Sequence, residues 1–452
     1  MKVVKGDRLK DKGCRSEDIR KARRQSRAEG AKSGGSGDCG RVSVTACGTD
    51  KRLCPMASYC ETPSLYPETH SSTIAELTDG TLLTAYFGGT KERVPDVCIY
   101  TQRKEKGADS WDEPVFAADG VFETGSEYAR IAGIDSTCVK AHFGPCRRHG
   151  IDWHEAKHGI RMSWEEALAD DNDRIGAEQR KACWNPVLFQ MPNGEVWLFF
   201  KIGKNVKDWT GWLCKSTDGG RTWGEKEPLP EGFLGPIKNK PELVGGRLLC
   251  PSSTENNGWK LHFETYDIAT GQWTKQLPQN SDSVLCIQPS LLRHGGDTLQ
   301  AVARTRPTKA QREMRDTTRG RIATCWSYDG GRTWGKTAFL DVPNNQSGID
   351  AVTLTRPVDV KAGGTTLRGM RHVLIYNDFG TLPGTGKGPR TPLSLAVSAD
   401  GIRWHHLLTL EDSPISQYSY PAIIQGRDGY LHAVYTWRRQ RIAYKRIVLG
   451  AK

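Results

Sequence analysis

Ser327-Tyr328-Asp329-Gly330-Gly331-Arg332-Thr333-Trp334 reads as the tip of a β-hairpin. Ser and Asp side chains cap backbone amides in such a turn, Gly takes the φ > 0 position, and Trp folds back as a plug. The same pattern runs from Ser216 to Trp223, and a shortened copy runs from Ser398 to Trp404. Two eroded copies span Asp267 to Trp273 and Arg103 to Trp111. A single hairpin of this kind fixes little. Five at intervals imply a repeat architecture, and repeats of roughly 40–50 residues with several strands each imply a propeller.

The segments between the hairpins carry a second periodicity. Six times, an apolar strand leads into another: Leu82–Phe87 with Asp96–Gln102, Val196–Ile202 with Gly211–Ser216, and Leu248–Ser252 with Leu261–Tyr266. The series continues with Leu299–Arg304 and Arg321–Ser327, Val373–Asn377 and Leu393–Ser398, and Tyr430–Trp437 and Arg441–Leu449. A further short strand precedes each pair, and four of these share a proline, at Pro186, Pro241, Pro289 and Pro421. Six units of about four strands predict an all-β, six-bladed β-propeller over residues 56–450. A ring must close, so the segment near residues 58–68 is expected to pair with the C-terminal blade.

Two stretches fall outside the repeat. Residues 1–55 read as a basic, disordered tail; residues 1–40 alone hold twelve Lys or Arg against six Asp or Glu, half of the net charge of +12. Residues 118–180 interrupt the first two blades. Within this insertion, Ser163 and Glu166 form a capping box ahead of an expected helix over Trp164–Ala182. Cys138, His142, Cys146, His149, His154 and His158 also crowd there, at spacings that fit no standard zinc site, so no metal is expected.

Composition narrows the function classes. No stretch is long or apolar enough for a transmembrane helix, and the start lacks a signal-peptide core. The reading is therefore cytoplasmic by default, unless Met1 is not the natural start. No cofactor motif is present and no nucleic-acid partner is expected; the oligomeric state is not encoded legibly. Five of the thirteen cysteines, Cys98, Cys214, Cys250, Cys286 and Cys325, lie inside predicted strands and read as buried thiols. Cys39, Cys47, Cys54 and Cys60 could pair in an oxidising compartment.

In a propeller the innermost strands converge on one end of a central channel. That placement gathers His70, Asn185, Lys238, Asn239, Lys240, Gln288, Asp350, Tyr418 and Tyr420, with Arg304 and Arg390 from nearby strand ends. The collection is strongly cationic and suits an anion, above all a carboxylate held bidentately by guanidinium.

With its hairpins now recognised as Asp-boxes, the chain resembles the sialidase (neuraminidase) superfamily of Asp-box, or BNR-repeat, propellers over about residues 60–449, less the insertion. The stretches Gly235-Pro236-Ile237-Lys238-Asn239-Lys240-Pro241, Pro251-Ser252-Ser253-Thr254-Glu255, Tyr418-Ser419-Tyr420-Pro421 and Tyr435-Thr436-Trp437-Arg438-Arg439 look typical of it. The resemblance implies three Arg on a sugar carboxylate, a Tyr nucleophile assisted by Glu, and an Asp acid, an exception to the two-carboxylate rule. On that basis Tyr418 matches the nucleophile, Arg304 and Arg390 match two of the arginines, and Asp96 lies near the acid's place. Two positions depart: His70 stands where the first Arg is expected, and Gln288 stands near the place of the Glu, for which Glu264 or Glu255 could substitute. The implied function is a glycoside hydrolase acting on terminal acidic sugars, sialic or uronic. Two alternatives stay open: a uronate-directed lyase in which His70 and Tyr share the proton transfers, and a non-catalytic glycan- or protein-binding propeller.

Overall fold

The computed structural model describes residues 56–59, 66–121, 180–313, 320–414 and 417–449. The expected insert helix, the insert's Cys and His cluster and the N-terminal cysteines lie outside these residues, apart from the last residues ahead of Cys183. The fold is a six-bladed β-propeller in which every blade is a four-stranded antiparallel sheet.

The chain starts with β1 (Met56–Tyr59) and then builds blade 1 from β2 (Glu68–Glu76), β3 (Leu82–Gly89), β4 (Cys98–Lys104) and β5 (Val115–Ala118). Blade 2 holds β6 (Cys183–Gln190), β7 (Val196–Ile202), β8 (Thr210–Ser216) and β9 (Glu227–Pro228). Blade 3 holds β10 (Glu242–Val244), β11 (Arg247–Thr254), β12 (Lys260–Asp267) and β13 (Trp273–Gln276). Blade 4 holds β14 (Cys286–Gly295), β15 (Thr298–Thr305), β16 (Arg321–Ser327) and β17 (Ala338–Pro343), with the short helix α1 (Lys309–Glu313) between its second and third strands. Blade 5 holds β18 (Asp350–Ala362), β19 (Thr365–Asn377), β20 (Leu393–Ser398) and β21 (His405–Glu411). Blade 6 holds β22 (Tyr418–Gln425), β23 (Leu431–Trp437) and β24 (Arg441–Ile447), and its outer strand is β1. The ring therefore closes through Met56–Tyr59, slightly ahead of the segment expected from sequence, with Met56 opposite Arg446 and Tyr59 opposite Ala443.

Apolar residues fill the spaces between sheets because both faces of each middle strand pack against a neighbouring blade. β3 and β7 are buried along their whole length, and their side chains merge with blade 2 in one cluster that includes Leu83, Phe87, Trp184, Leu198 and Phe200. Cys98, Cys214, Cys250, Cys286 and Cys325 are all buried in strands, and burial pushes the Cys214 and Cys286 thiols up to about 12.

The Asp-boxes sit between the third and fourth strands and work as clamps. In blade 2 the Asp218 carboxylate accepts from the Arg221 and Thr222 amides at 3.0 and 2.9 Å and from the Thr222 hydroxyl at 2.6 Å. Asp329 repeats the pattern in blade 4 at 2.9, 2.9 and 2.6 Å. The tryptophan then reaches back to the preceding blade. Trp223 donates to Thr101 of blade 1 at 3.0 Å, and Trp334 stacks on Phe263 of blade 3 with centroids 3.6 Å apart. The eroded boxes keep this habit: Trp273 packs on Phe199 of blade 2, and Trp111 packs on Tyr444 of blade 6.

Candidate active site

Antiparallel pairing puts the start of every inner strand on the same face as the loops joining second to third strands. Those loops span residues 90–97, 203–209, 255–259, 378–392 and 438–440, and the described part of the one in blade 4 covers 306–313 and residue 320. The inner strands also share a distortion. Pairing slips between His70 and Thr73, Trp184 and Val187, Ile287 and Ser290, and Ser419 and Ala422. Within these bulges Ser71, Asn185, Gln288 and Tyr420 adopt φ of 60°, 37°, 56° and 50°. Non-glycine residues avoid this region, and each instance costs on the order of 1–3 kcal/mol. The ring of bulges turns side chains from separate blades toward the channel mouth.

Tyr420 occupies the centre. Its phenolic oxygen accepts from Arg304 Nη1 at 3.1 Å and from Gln288 Nε2 at 3.2 Å. Arg304 Nη1 also donates to Gln288 Oε1 at 2.9 Å, and Nη2 donates to the Gln346 carbonyl at 2.5 Å. The guanidinium carbons of Arg304 and Arg390 each lie 5.8 Å from the Tyr420 ring centroid, and Lys238 Nζ lies 6.0 Å from it. Arg390 is fixed by Gln417 at 3.0 Å; burial draws its pKa down to about 10, so it stays charged at neutral pH.

His70 packs on the same phenol with ring centroids 4.4 Å apart, and its Nδ1 bonds Thr436 Oγ1 at 2.8 Å. Burial holds its pKa well below the usual histidine value, and Arg439, Arg390, Arg304 and Lys238 push it the same way. The imidazole is therefore neutral: a proton acceptor or a neutral donor, not a third cation.

Lys238, Asn239, Lys240 and Asp350 lie deeper and hold the blades together. Lys238 Nζ donates to Asn239 Oδ1 at 2.7 Å, to the Ile349 carbonyl of blade 5 at 3.0 Å, and to the Pro421 carbonyl of blade 6. Burial pushes its pKa down to about 7; Asp350 opposes the shift, and Lys240 and Arg304 add to it. Asn239 Nδ2 donates to the Gln288 and Pro289 carbonyls, both at 3.0 Å. Asp350 is saturated by Lys240 at 2.9 Å, Ser290 at 2.7 Å, the Ala351 amide at 2.9 Å and the Ile423 amide at 2.8 Å. Lys240 also lines a cavity with Thr78, Gln190 and Arg427 from the turns at the opposite end of the channel.

Three residues singled out by sequence are buried and held by bonds of their own. Tyr418 is 1% exposed and belongs to the apolar cluster between blades 5 and 6, and its hydroxyl accepts from Arg438 Nη2 at 3.4 Å. Its amide donates to the Arg390 carbonyl at 2.9 Å, so it positions that arginine. Asp96 is buried and its Oδ2 accepts from the Thr90 amide at 2.7 Å, bracing the loop that carries Glu92. Glu264 is also buried, receiving the Leu234 and Gly235 amides at 3.0 and 2.6 Å and His262 Nε2 at 2.8 Å.

Arg439, Trp259 and Arg306 at the mouth escape sequence reasoning, and Glu255, named there as a possible stand-in for the expected Glu, joins them. Arg439 pairs with Glu92 at 2.5 Å and, as noted, acts on His70. Trp259 lies between two guanidinium groups, 4.9 Å from Arg304 and 4.8 Å from Arg306. Glu255 belongs to the same wall. Burial raises its pKa, while Arg304, a hydrogen bond with Trp259, and Arg306 act against the rise. Their signal in sequence was the loop between second and third strands, the place where Arg390 was also found.

The BNR repeat-like domain family matches residues 155–433, more than half of the chain. The chain belongs to this family. No curated protein matches this BNR propeller by sequence. Solved structures do match it in fold. A mutant NanB sialidase from Streptococcus pneumoniae is 12% identical with a TM-score of 0.55, covering 84% of this chain and 68% of its own. The intramolecular trans-sialidase from Ruminococcus gnavus, in complex with oseltamivir carboxylate, is 14% identical with a TM-score of 0.56, covering 87% and 98%. The α-L-arabinanase from Penicillium chrysogenum, complexed with arabinobiose, is 13% identical with a TM-score of 0.51, covering 86% and 96%. At these identities the shared property is the propeller itself.

Proposed function

We propose that this BNR propeller is a sialidase-like glycoside hydrolase acting on terminal acidic sugars. The observation that carries the reading is the convergence on one phenol: Arg304 bonded to Tyr420, Arg390 above the same ring, and neutral His70 against it. Two guanidinium groups gathered on one ring suit a sugar carboxylate, and a phenol approaches such a substrate without the repulsion a carboxylate nucleophile would meet. In this reading Tyr420, rather than Tyr418, supplies the nucleophilic oxygen. A bond forms from that oxygen to the anomeric carbon as the bond to the leaving sugar's oxygen breaks and that oxygen takes up a proton from solvent; water then cleaves the Tyr420–sugar bond, releasing the terminal sugar and restoring the phenol. Gln288 orients the phenol but cannot take its proton, so that role passes to His70, whose neutral form is favoured by its surroundings. Incubation with 4-methylumbelliferyl glycosides of sialic acid and of glucuronic acid tests the reading. Released 4-methylumbelliferone, lost in Arg304→Ala, supports it; an ultraviolet-absorbing unsaturated uronate formed from an oligosaccharide whose uronate is substituted at O4 would replace hydrolysis with elimination.

A further inference from the structure

On the same face as Tyr420, between blades 2 and 3, lies a cavity of about 200 Å³. Its lining includes Lys207 and Trp209 from the 203–209 loop, Phe233 from the β9–β10 connection, and Glu255 and Asn256 from the 255–259 loop. Glu255 is the link: it lines this cavity and hydrogen-bonds Trp259, whose ring lies 4.9 Å from the Arg304 guanidinium and 4.8 Å from that of Arg306. The walls are preformed. Trp209 is held edge-on to Trp184 with centroids 5.7 Å apart, and the Leu234 and Gly235 amides are tied to buried Glu264. Phe233 is half-buried, packed against Trp273 at 5.7 Å.

We infer that this cavity is a subsite for the sugar unit adjoining the terminal acidic sugar, with Phe233 and Trp209 covering its apolar face and Glu255 and Asn256 bonding its hydroxyls. The inference rests on the function proposed above. Pockets for drug-sized ligands run to roughly 300–1,000 Å³, so this smaller cavity suits a single ring. Aromatic walls beside a few polar side chains match a pyranose, which has apolar C–H faces and a rim of hydroxyls. Continuity through Glu255 places the second ring next to the first, as a glycosidic link requires.

Binding is measured by calorimetry for two pairs: sialyl-galactose with methyl sialoside, and glucuronyl-N-acetylglucosamine with methyl glucuronide. In the wild-type chain the disaccharide of the bound pair should have a Kd at least about tenfold lower than its methyl glycoside. Phe233→Ala and Asn256→Ala should each erase most of that advantage and leave the methyl glycoside unchanged; Asn256 is an exposed loop residue, so its loss guards against a folding effect of the first variant. Equal affinities for the two members of a pair would overturn the subsite and leave the proposed function standing. So would variants that weaken both members alike, since the cavity would then hold part of the terminal sugar itself. If neither pair binds, subsite and proposed function fall together. A retained disaccharide advantage without cleavage would keep the subsite and remove the hydrolase.

Discussion

Two tyrosines two residues apart compete for the role of nucleophile, and phenylalanine substitution separates them. Tyr420→Phe removes the oxygen that accepts from Arg304 and Gln288, but it keeps the ring that packs on His70. Two hydrogen bonds are lost; Arg304 Nη1 retains Gln288 Oε1 at 2.9 Å while Gln288 Nε2 loses its partner, a stability cost of about 1–3 kcal/mol. Loss of the nucleophilic oxygen is a far larger effect on chemistry: kcat should fall by at least ~10³-fold, which corresponds to about 4 kcal/mol in the barrier. Tyr418→Phe removes a single contact to Arg438 at 3.4 Å, too long to be worth more than about 0.5 kcal/mol. Its kcat should stay within about threefold of the wild type, since 0.5 kcal/mol is a small factor in rate. The assay is initial-rate release of 4-methylumbelliferone from the acidic glycoside that the wild type cleaves, with thermal melts run in parallel. A Tyr420→Phe protein with wild-type kcat, or a folded Tyr418→Phe protein that is inactive, would refute the assignment.

Other consequences are open to measurement. Trp334→Ala removes the ring stacked on Phe263 and should destabilise the propeller by about 3–5 kcal/mol in urea denaturation, while the site chemistry is unaffected because the clamp is peripheral. Lys238→Met keeps the bulk but leaves the Ile349 and Pro421 carbonyls without their buried donor, and should cost about 1–3 kcal/mol for each group left unsatisfied, read as a lowered Tm. Burial opposes ionisation of Asp218 and Asp329, yet their Thr and Ser hydroxyls and turn amides outweigh it and hold both carboxyls at about 2. Because these folded-state values lie below the unfolded one, the stabilisation is complete above about pH 4 and is lost as pH falls toward about 2. Asp218→Asn with Asp329→Asn should therefore flatten the acid limb of a stability-versus-pH curve; an unchanged limb would assign acid unfolding to other groups.

The architecture was legible because its signals are local. The Ser-Asp-Gly-Trp turn needs only its own side chains to form, as the Asp329 hydrogen bonds show, and strands such as Val196–Ile202 and Leu393–Ser398 announce themselves by continuous apolar runs. The site was legible only in part. Along a regular strand Tyr418 and Tyr420 would point to the same side, so nothing in their spacing distinguishes them. The bulge between Ser419 and Ala422 breaks that alternation, burying one phenol in the blade and presenting the other. Charge near a channel suggests recognition at Lys240 and Asp350, and their spacing in sequence gives no sign of the ion pair that joins them or of the Ser290 bond. Glu255 and Trp259 depend on loop conformation, which no repeat encodes.

The ring of bulges carries an implication for how such a protein changes its chemistry. Ser71, Asn185, Gln288 and Tyr420 stand at matching places on four different blades, and side-chain bonds join them in pairs, Ser71 to Asn185 and Gln288 to Tyr420. Exchanging one of them re-aims its partner on another blade and leaves the hydrogen-bonded ladders of the blades intact. The propeller thus behaves like a tool head whose bits are fitted in pairs, so that two blades change together while the head that carries them stays as it was.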